Sequence, residues 1–227
     1  MSDFYLIYQP KVRDYKITSL EALLRPKDSD LSIMQYLSLK ADTKLLDLQV
    51  LAKCVEDMDL YQLTIPVSVN IHPSSLSDET FVSTAIEMIN GRQINIEVIE
   101  YQEFQVTQEM VLNLESLKEN GIKVSIDDFG TNLMSEELAL RMKVDEVKFD
   151  KALIEGIETD RSKLAVLSCI YRKIAKLCTP NIVFEGVENV LQLEAINEFA
   201  TSPTIQGYYF YKPMHLSEVG RVLSLTK

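Results

Sequence analysis

Short apolar runs recur along this chain, and each ends at or beside a polar residue. The runs are 4–9, 17–24, 66–71, 94–100, 122–126, 144–150, 181–184 and 204–209. They are rich in β-branched and aromatic residues and too short for ordinary helices, which predicts strands. Stretches of helical periodicity stand between most of them, at 31–41, 43–57, 80–89, 107–120, 136–142, 160–177 and 189–199, and a last one follows at 216–225. Eight strands alternating with helices in 227 residues predict a closed (β/α)8 barrel, a TIM-barrel variant, with one domain over 1–227. The polar link Lys11–Lys16 is too short for a crossover helix, so strands one and two are expected to pair antiparallel.

In such barrels functional residues gather where the strands end. The polar residues at or near those ends are Glu21, Asn70, Glu97, Asp127, Asp128, Lys148, Glu185 and Gln206. Several have a plain reading of their own. Asp127-Asp128-Phe129-Gly130 can be an exposed Asx turn, Asn70 can start a turn before His72-Pro73, and Lys148 can snorkel to the surface. Scattered surface acids have no reason to arrive once per strand, and convergence on one mouth is the economical explanation. A ring of carboxylates with one amide is an oxygen-rich site for a hard divalent cation, Mg²⁺ or Mn²⁺. Zinc is disfavoured by the lack of His and Cys ligands.

A net charge of −11 without a basic cluster argues against gripping long nucleic acid. It leaves room for a small phosphate ligand reached through metal ions, because bound cations invert the local charge logic. No apolar run is long enough to span a bilayer, and Met1-Ser2-Asp3 opens no secretory signal. Cys54, Cys169 and Cys178 have no metal-ligand spacing; they read as buried free thiols of a cytoplasmic protein.

In order along the chain, Tyr8-Gln9-Pro10, Glu21-Ala22-Leu23-Leu24-Arg25, Ser68-Val69-Asn70, Glu97 with Glu100, Ile126-Asp127-Asp128-Phe129-Gly130-Thr131, Lys148-Phe149-Asp150, Glu185-Gly186-Val187-Glu188 and Gln206-Gly207-Tyr208-Tyr209 resemble the EAL domain family of bacterial cyclic-di-GMP phosphodiesterases. The resemblance implies a barrel with an antiparallel first strand and hydrolysis of cyclic-di-GMP to linear pGpG with two Mg²⁺ or Mn²⁺ ions. It implies metal ligands at Glu21, Asn70, Glu97, Asp127, Asp128 and Glu185, a lysine beside the attacking water at Lys148, and a glutamine near the second metal at Gln206. It further implies substrate contacts at Arg25, Gln9 and Asp150, a loop-supporting glutamate at Glu188, and a possible homodimer. The chain departs from the family where Asn132-Leu133-Met134-Ser135-Glu136 replaces the usual G-Y-S-S-L, and at His72, Ile99 and Phe184. The rival reading is a degenerate EAL domain that holds the nucleotide, or a protein partner, without turnover. His72 reads as a loop residue rather than a ligand.

Overall fold

The computed structural model describes residues 3–99, 105–130, 139, 141, 144–177 and 181–225. Eight strands close into a barrel in sequence order. They are β1 (Phe4–Arg13), β2 (Lys16–Pro26), β3 (Val67–Ile71), β4 (Ile94–Val98), β5 (Val124–Phe129), β6 (Glu146–Phe149), β7 (Asn181–Glu185) and β8 (Thr204–Gln206). β1 is antiparallel to both neighbours, and every other pair is parallel. The expected barrel with its reversed first strand is what forms.

The polar link is shorter than the sequence suggested. β1 continues through Lys11 to Arg13, and only Asp14 and Tyr15 connect it to β2. Both have left-handed φ values, 49° and 62°, which is the geometry of a two-residue hairpin turn matched to strand twist. Lys11 is therefore a strand residue. Its side chain is fully buried inside the barrel.

The helices are α1 (Ile33–Ser38), α2 (Thr43–Tyr61), α3 (Pro73–Leu76), α4 (Glu79–Ile89), α5 (Gln108–Glu119), α6 (Lys151–Ile154), α7 (Arg161–Leu177), α8 (Val190–Asn197) and α9 (Leu216–Leu225). Their starts follow capping chemistry. Ser32, Asp42, Asp78, Thr107 and Asn189 each accept a hydrogen bond from a backbone N–H of the first turn. The single-turn α3 and α6 are too short to leave a helical period in the sequence. His72 caps α3, its Nδ1 accepting from Ser74 N at 3.1 Å, which is the loop role expected of it. The helix expected over 136–142 is described only at Ala139 and Arg141, both helical. Glu100, the 131–136 loop and Cys178 lie outside the described residues. Cys54 is buried as expected, but Cys169 is exposed, because α7 turns it away from the sheet.

Alternation divides each strand. Leu6, Tyr8, Val67, Val69, Ile96, Val98, Val124, Ile126, Val147 and Phe149 are buried, and they form the apolar core with the helices' inner faces. The opposite face looks into the lumen and is polar over two levels. Ser68 precedes Asn70, Ser125 precedes Asp127, Glu146 precedes Lys148 and Thr204 precedes Gln206, each by one repeat of the pleat.

Candidate functional site

At the open end of the barrel the strands bring the predicted ring together around one lysine. Lys148, on β6, lies 2.7 Å from Asp127 Oδ1, 2.9 Å from Glu97 Oε2, 2.9 Å from Glu185 Oε1 and 3.1 Å from Glu21 Oε2. These carboxylates come from β2, β4, β5 and β7. Asn70 Nδ2 donates to Glu21 Oε1 at 2.7 Å, and Gln206 Nε2 donates to Glu21 Oε2 at 2.5 Å. Gln206 also reaches Gln9 Oε1 at 3.4 Å, which ties the reversed strand into the ring.

Adjacent residues of an extended strand point to opposite faces, yet Asp127 and Asp128 join one cluster. The backbone explains it. Asp128 has φ 50°, and the pairing of β5 with β6 breaks register between Ile126 and Phe129. The turned backbone brings carboxylate oxygens of Asp127, Asp128 and Glu185 within 4.8 Å of one another. Oxygens of Glu21, Glu97 and Asp127 form a second such group, so Asp127 belongs to both.

Charge does not balance here. Burial pushes the Asp127 carboxyl upward, and the nearby Glu21 and Glu97 charges add to that against the pull of Lys148. Burial lifts Glu185 well above the usual carboxylate range, with Asp127 and Glu21 reinforcing it. Burial and the neighbouring Asp150 raise Asp128. Burial alone would lower the Lys148 ammonium, but Asp127, Glu185, Glu21 and Glu97 outweigh it and hold it well above its ordinary value. Glu97 differs: Lys11 and Lys148 overcome its burial and hold it below the ordinary range.

Unsatisfied oxygens sit in the same place. Among the described residues, Asn70 Oδ1 and Gln206 Oε1 are buried with no hydrogen-bond donor. Asp127 Oδ1 meets Lys148 as an ion pair without hydrogen-bond geometry. Buried acceptors in a site already short of positive charge are satisfied by a cation that takes oxygen ligands. The donor set fits a hard divalent ion, and its carboxylates form two groups that share Asp127.

Of the other sequence-predicted residues, Gln9 is buried in the lumen, and Arg25, Asp150 and Glu188 lie at or beyond the strand ends. Arg25 is half-buried at the end of β2, with one guanidinium nitrogen donating to Leu24 O at 2.7 Å. Gln9 donates to Tyr211 O at 3.3 Å. Asp150 caps α6, accepting from Ala152 N at 2.7 Å. Glu188 is exposed beyond β7, and the loop it was expected to support falls outside the described residues. Gly207 is needed at the end of β8, because a Cβ there would overlap the backbone of Val187.

Sequence reasoning missed the level beneath. Lys11 Nζ lies 2.5 Å from Glu97 Oε1, 2.5 Å from Glu146 Oε1 and 3.2 Å from Ser68 Oγ. The alternation Gln9, Lys11, Arg13 was the available signal. Once Gln9 is placed in the lumen, Lys11 follows it by the period of the pleat.

A closed, mixed barrel with a carboxylate ring around a buried lysine defines a barrel whose mouth could hold a metal ion. The chain belongs to the EAL domain family, whose model matches residues 2–213. It is 29% identical over 163 residues, 69% of this chain and 32% of the relative, to the probable cyclic di-GMP phosphodiesterase PdeG of Escherichia coli K12. It spans about a third or less of the first curated relatives it matches, at 32%, 16% and 28% of their lengths. Among solved structures it resembles an EAL domain protein from Listeria monocytogenes EGD-e, with TM-score 0.87, 26% identity, and 98% and 93% of the two chains covered. It also resembles the PaMucR phosphodiesterase in complex with c-di-GMP, with TM-score 0.82, 25% identity, and 96% and 94% covered.

Proposed function

We propose that this protein hydrolyses cyclic-di-GMP to linear pGpG with divalent metal ions, Mg²⁺ or Mn²⁺, held at the barrel mouth. The observation that carries the reading is the pair of carboxylate groups sharing Asp127 beside buried acceptor oxygens that have no donor among the described residues. A module that only met a protein partner would have no physical need for so many converging acids. Relatives named as cyclic-di-GMP phosphodiesterases and a structural neighbour complexed with that nucleotide support the choice of substrate.

In this reading Glu21, Asn70, Glu97 and Asp127 hold one ion, and Asp127, Asp128 and Glu185 the other. Ions so placed would neutralise the phosphodiester, acidify the attacking water and stabilise the leaving 3′-oxygen. Lys148 supplies positive charge next to the attacking water, and its contacts to four strands fix its position before substrate arrives. Gln206 orients that water and steadies Glu21. Arg25 at the rim clamps a phosphate, with Gln9 and Asp150 contacting substrate beside it. Glu188 supports the loop that follows β5.

The test is Glu21→Ala in a turnover assay with Mn²⁺, beside calorimetric nucleotide binding. Turnover is expected to fall by roughly 10²-fold or more while the barrel stays folded. Unchanged turnover would remove Glu21 from the site and refute the assignment.

A further inference from the structure

Beneath the mouth lies a buried lysine, Lys11, that the reaction just outlined does not use. Lys11 and Glu97 have side chains with no exposure at all. The two Glu97 oxygens are claimed by different lysines, Oε1 by Lys11 at 2.5 Å and Oε2 by Lys148 at 2.9 Å. Lys11 enters from β1, on the side away from the mouth, and is itself held from two other directions. Glu146 Oε1 stands 2.5 Å from its ammonium and Ser68 Oγ 3.2 Å. Glu146 is anchored in turn, its Oε2 accepting from Asn181 Nδ2 at 2.6 Å and its Oε1 from Ser125 Oγ at 3.3 Å. Oε1 of Glu97 is thus pinned downward, and only Oε2 faces the carboxylates of the mouth.

We propose that Lys11 is a positioning residue that restricts Glu97 to one ligating oxygen, and so biases the site toward compact six-coordinate ions, Mg²⁺ and Mn²⁺, over Ca²⁺. The inference rests on the metal reading given above. Its physical basis is coordination number. Mg²⁺ demands near-octahedral geometry with short bonds, whereas Ca²⁺ accepts six to eight oxygens and uses bidentate carboxylates. A carboxylate with one oxygen tied to an interior ammonium cannot offer both to an ion. Released from Lys11, Glu97 can turn both oxygens to the mouth, and the larger ion gains a ligand.

The test pairs Lys11→Met with Glu146→Gln, which removes the ammonium and its second carboxylate together and leaves Glu97 paired with Lys148. Glu146→Gln alone is the control, since it keeps Lys11 on Glu97. Mn²⁺ and Ca²⁺ binding are measured by calorimetry without nucleotide, on proteins whose folding is checked by circular dichroism. The Mn²⁺-over-Ca²⁺ preference is expected to shrink about tenfold in the double variant, the usual scale for losing a residue that orients a metal ligand. The control is expected to keep the wild-type preference. An unchanged preference in the folded double variant overturns the proposal. Should the double variant not fold, a crystal structure of the wild-type Mn²⁺ complex decides: Glu97 ligating through Oε2 alone supports the proposal, and bidentate Glu97 overturns it. A wild-type protein that binds neither ion sinks the metal reading and this inference with it. A wild type that binds Mn²⁺, with selectivity indifferent to Lys11, sinks this inference alone.

Discussion

Replacing Lys148 by methionine removes the one side chain that, among the described residues, touches Glu21, Glu97, Asp127 and Glu185 together. At the 2.9 Å of its contacts to Glu97 and Glu185, an effective dielectric of 20 makes each attraction about 6 kcal/mol before desolvation. Desolvating the buried ions opposes this, and breaking a buried pair by removing one partner costs about 3–5 kcal/mol net. For a chain of this size that is a fall in melting temperature of roughly 10 °C. The assay is urea or thermal unfolding of wild type and Lys148→Met in EDTA at pH 8 and again near pH 5. The deficit should be largest at pH 8. Carboxyls already pushed upward by burial, Asp127 and Glu185, take up protons first on acidification and relieve the uncompensated charge. Saturating Mn²⁺ should restore the variant by about 4 kcal/mol at a thousandfold excess over its dissociation constant, since the ion binds only the folded state. Turnover should stay down by roughly 10²-fold or more. Equal stabilities in EDTA at pH 8 would refute the claim that Lys148 offsets part of this ring's negative charge.

Two further outcomes follow from residues outside the mouth. Asp47 on α2 is buried and accepts from Ser75 Oγ at 2.6 Å and His72 N at 3.1 Å, and burial raises its pKa from 3.8 to about 6. Between those values the native state keeps a proton that the unfolded chain has released, so stability falls as pH rises through that window. About 3 kcal/mol is then missing above pH 6, because each tenfold change in proton affinity is worth about 1.4 kcal/mol. Asp47→Asn keeps the acceptor and is expected to gain up to that amount at pH 8 and nothing at pH 4 in urea titrations; a loss at pH 8 would contradict this. Gly207→Ala forces a Cβ into the Val187 backbone and should cost about 1–3 kcal/mol or more in chemical denaturation. It should also weaken turnover by displacing Gln206.

The barrel was legible because each strand carries a local signature of β-branched and aromatic residues, and stretches of helical periodicity stand between most of them. The mouth was legible because its polar residues interrupt apolar runs, where a charge is anomalous. What failed was reading polarity as irregular backbone. Lys11 and Arg13 looked like part of a link, yet β1 needs polar residues there because the lumen it faces is polar. The turn that does connect the strands uses Asp14 and Tyr15 rather than a glycine, which hides it from turn chemistry. Ser125 and Glu146 went unremarked, and Ser68 was quoted only beside Asn70, because a serine or glutamate two residues before a mouth residue is unremarkable alone. Only the closed register turns them into a layer around Lys11. Cys169 was misplaced because apolar neighbours on α7 belong to its inner face, and that position does not.

The most direct measurement is to strip the protein with EDTA, add cyclic-di-GMP, and follow the nucleotide by chromatography as Mn²⁺ is titrated back. The account predicts intact cyclic nucleotide without the ion and linear pGpG accumulating over many turnovers once it is present. Bound but uncleaved cyclic-di-GMP at saturating Mn²⁺ would contradict it.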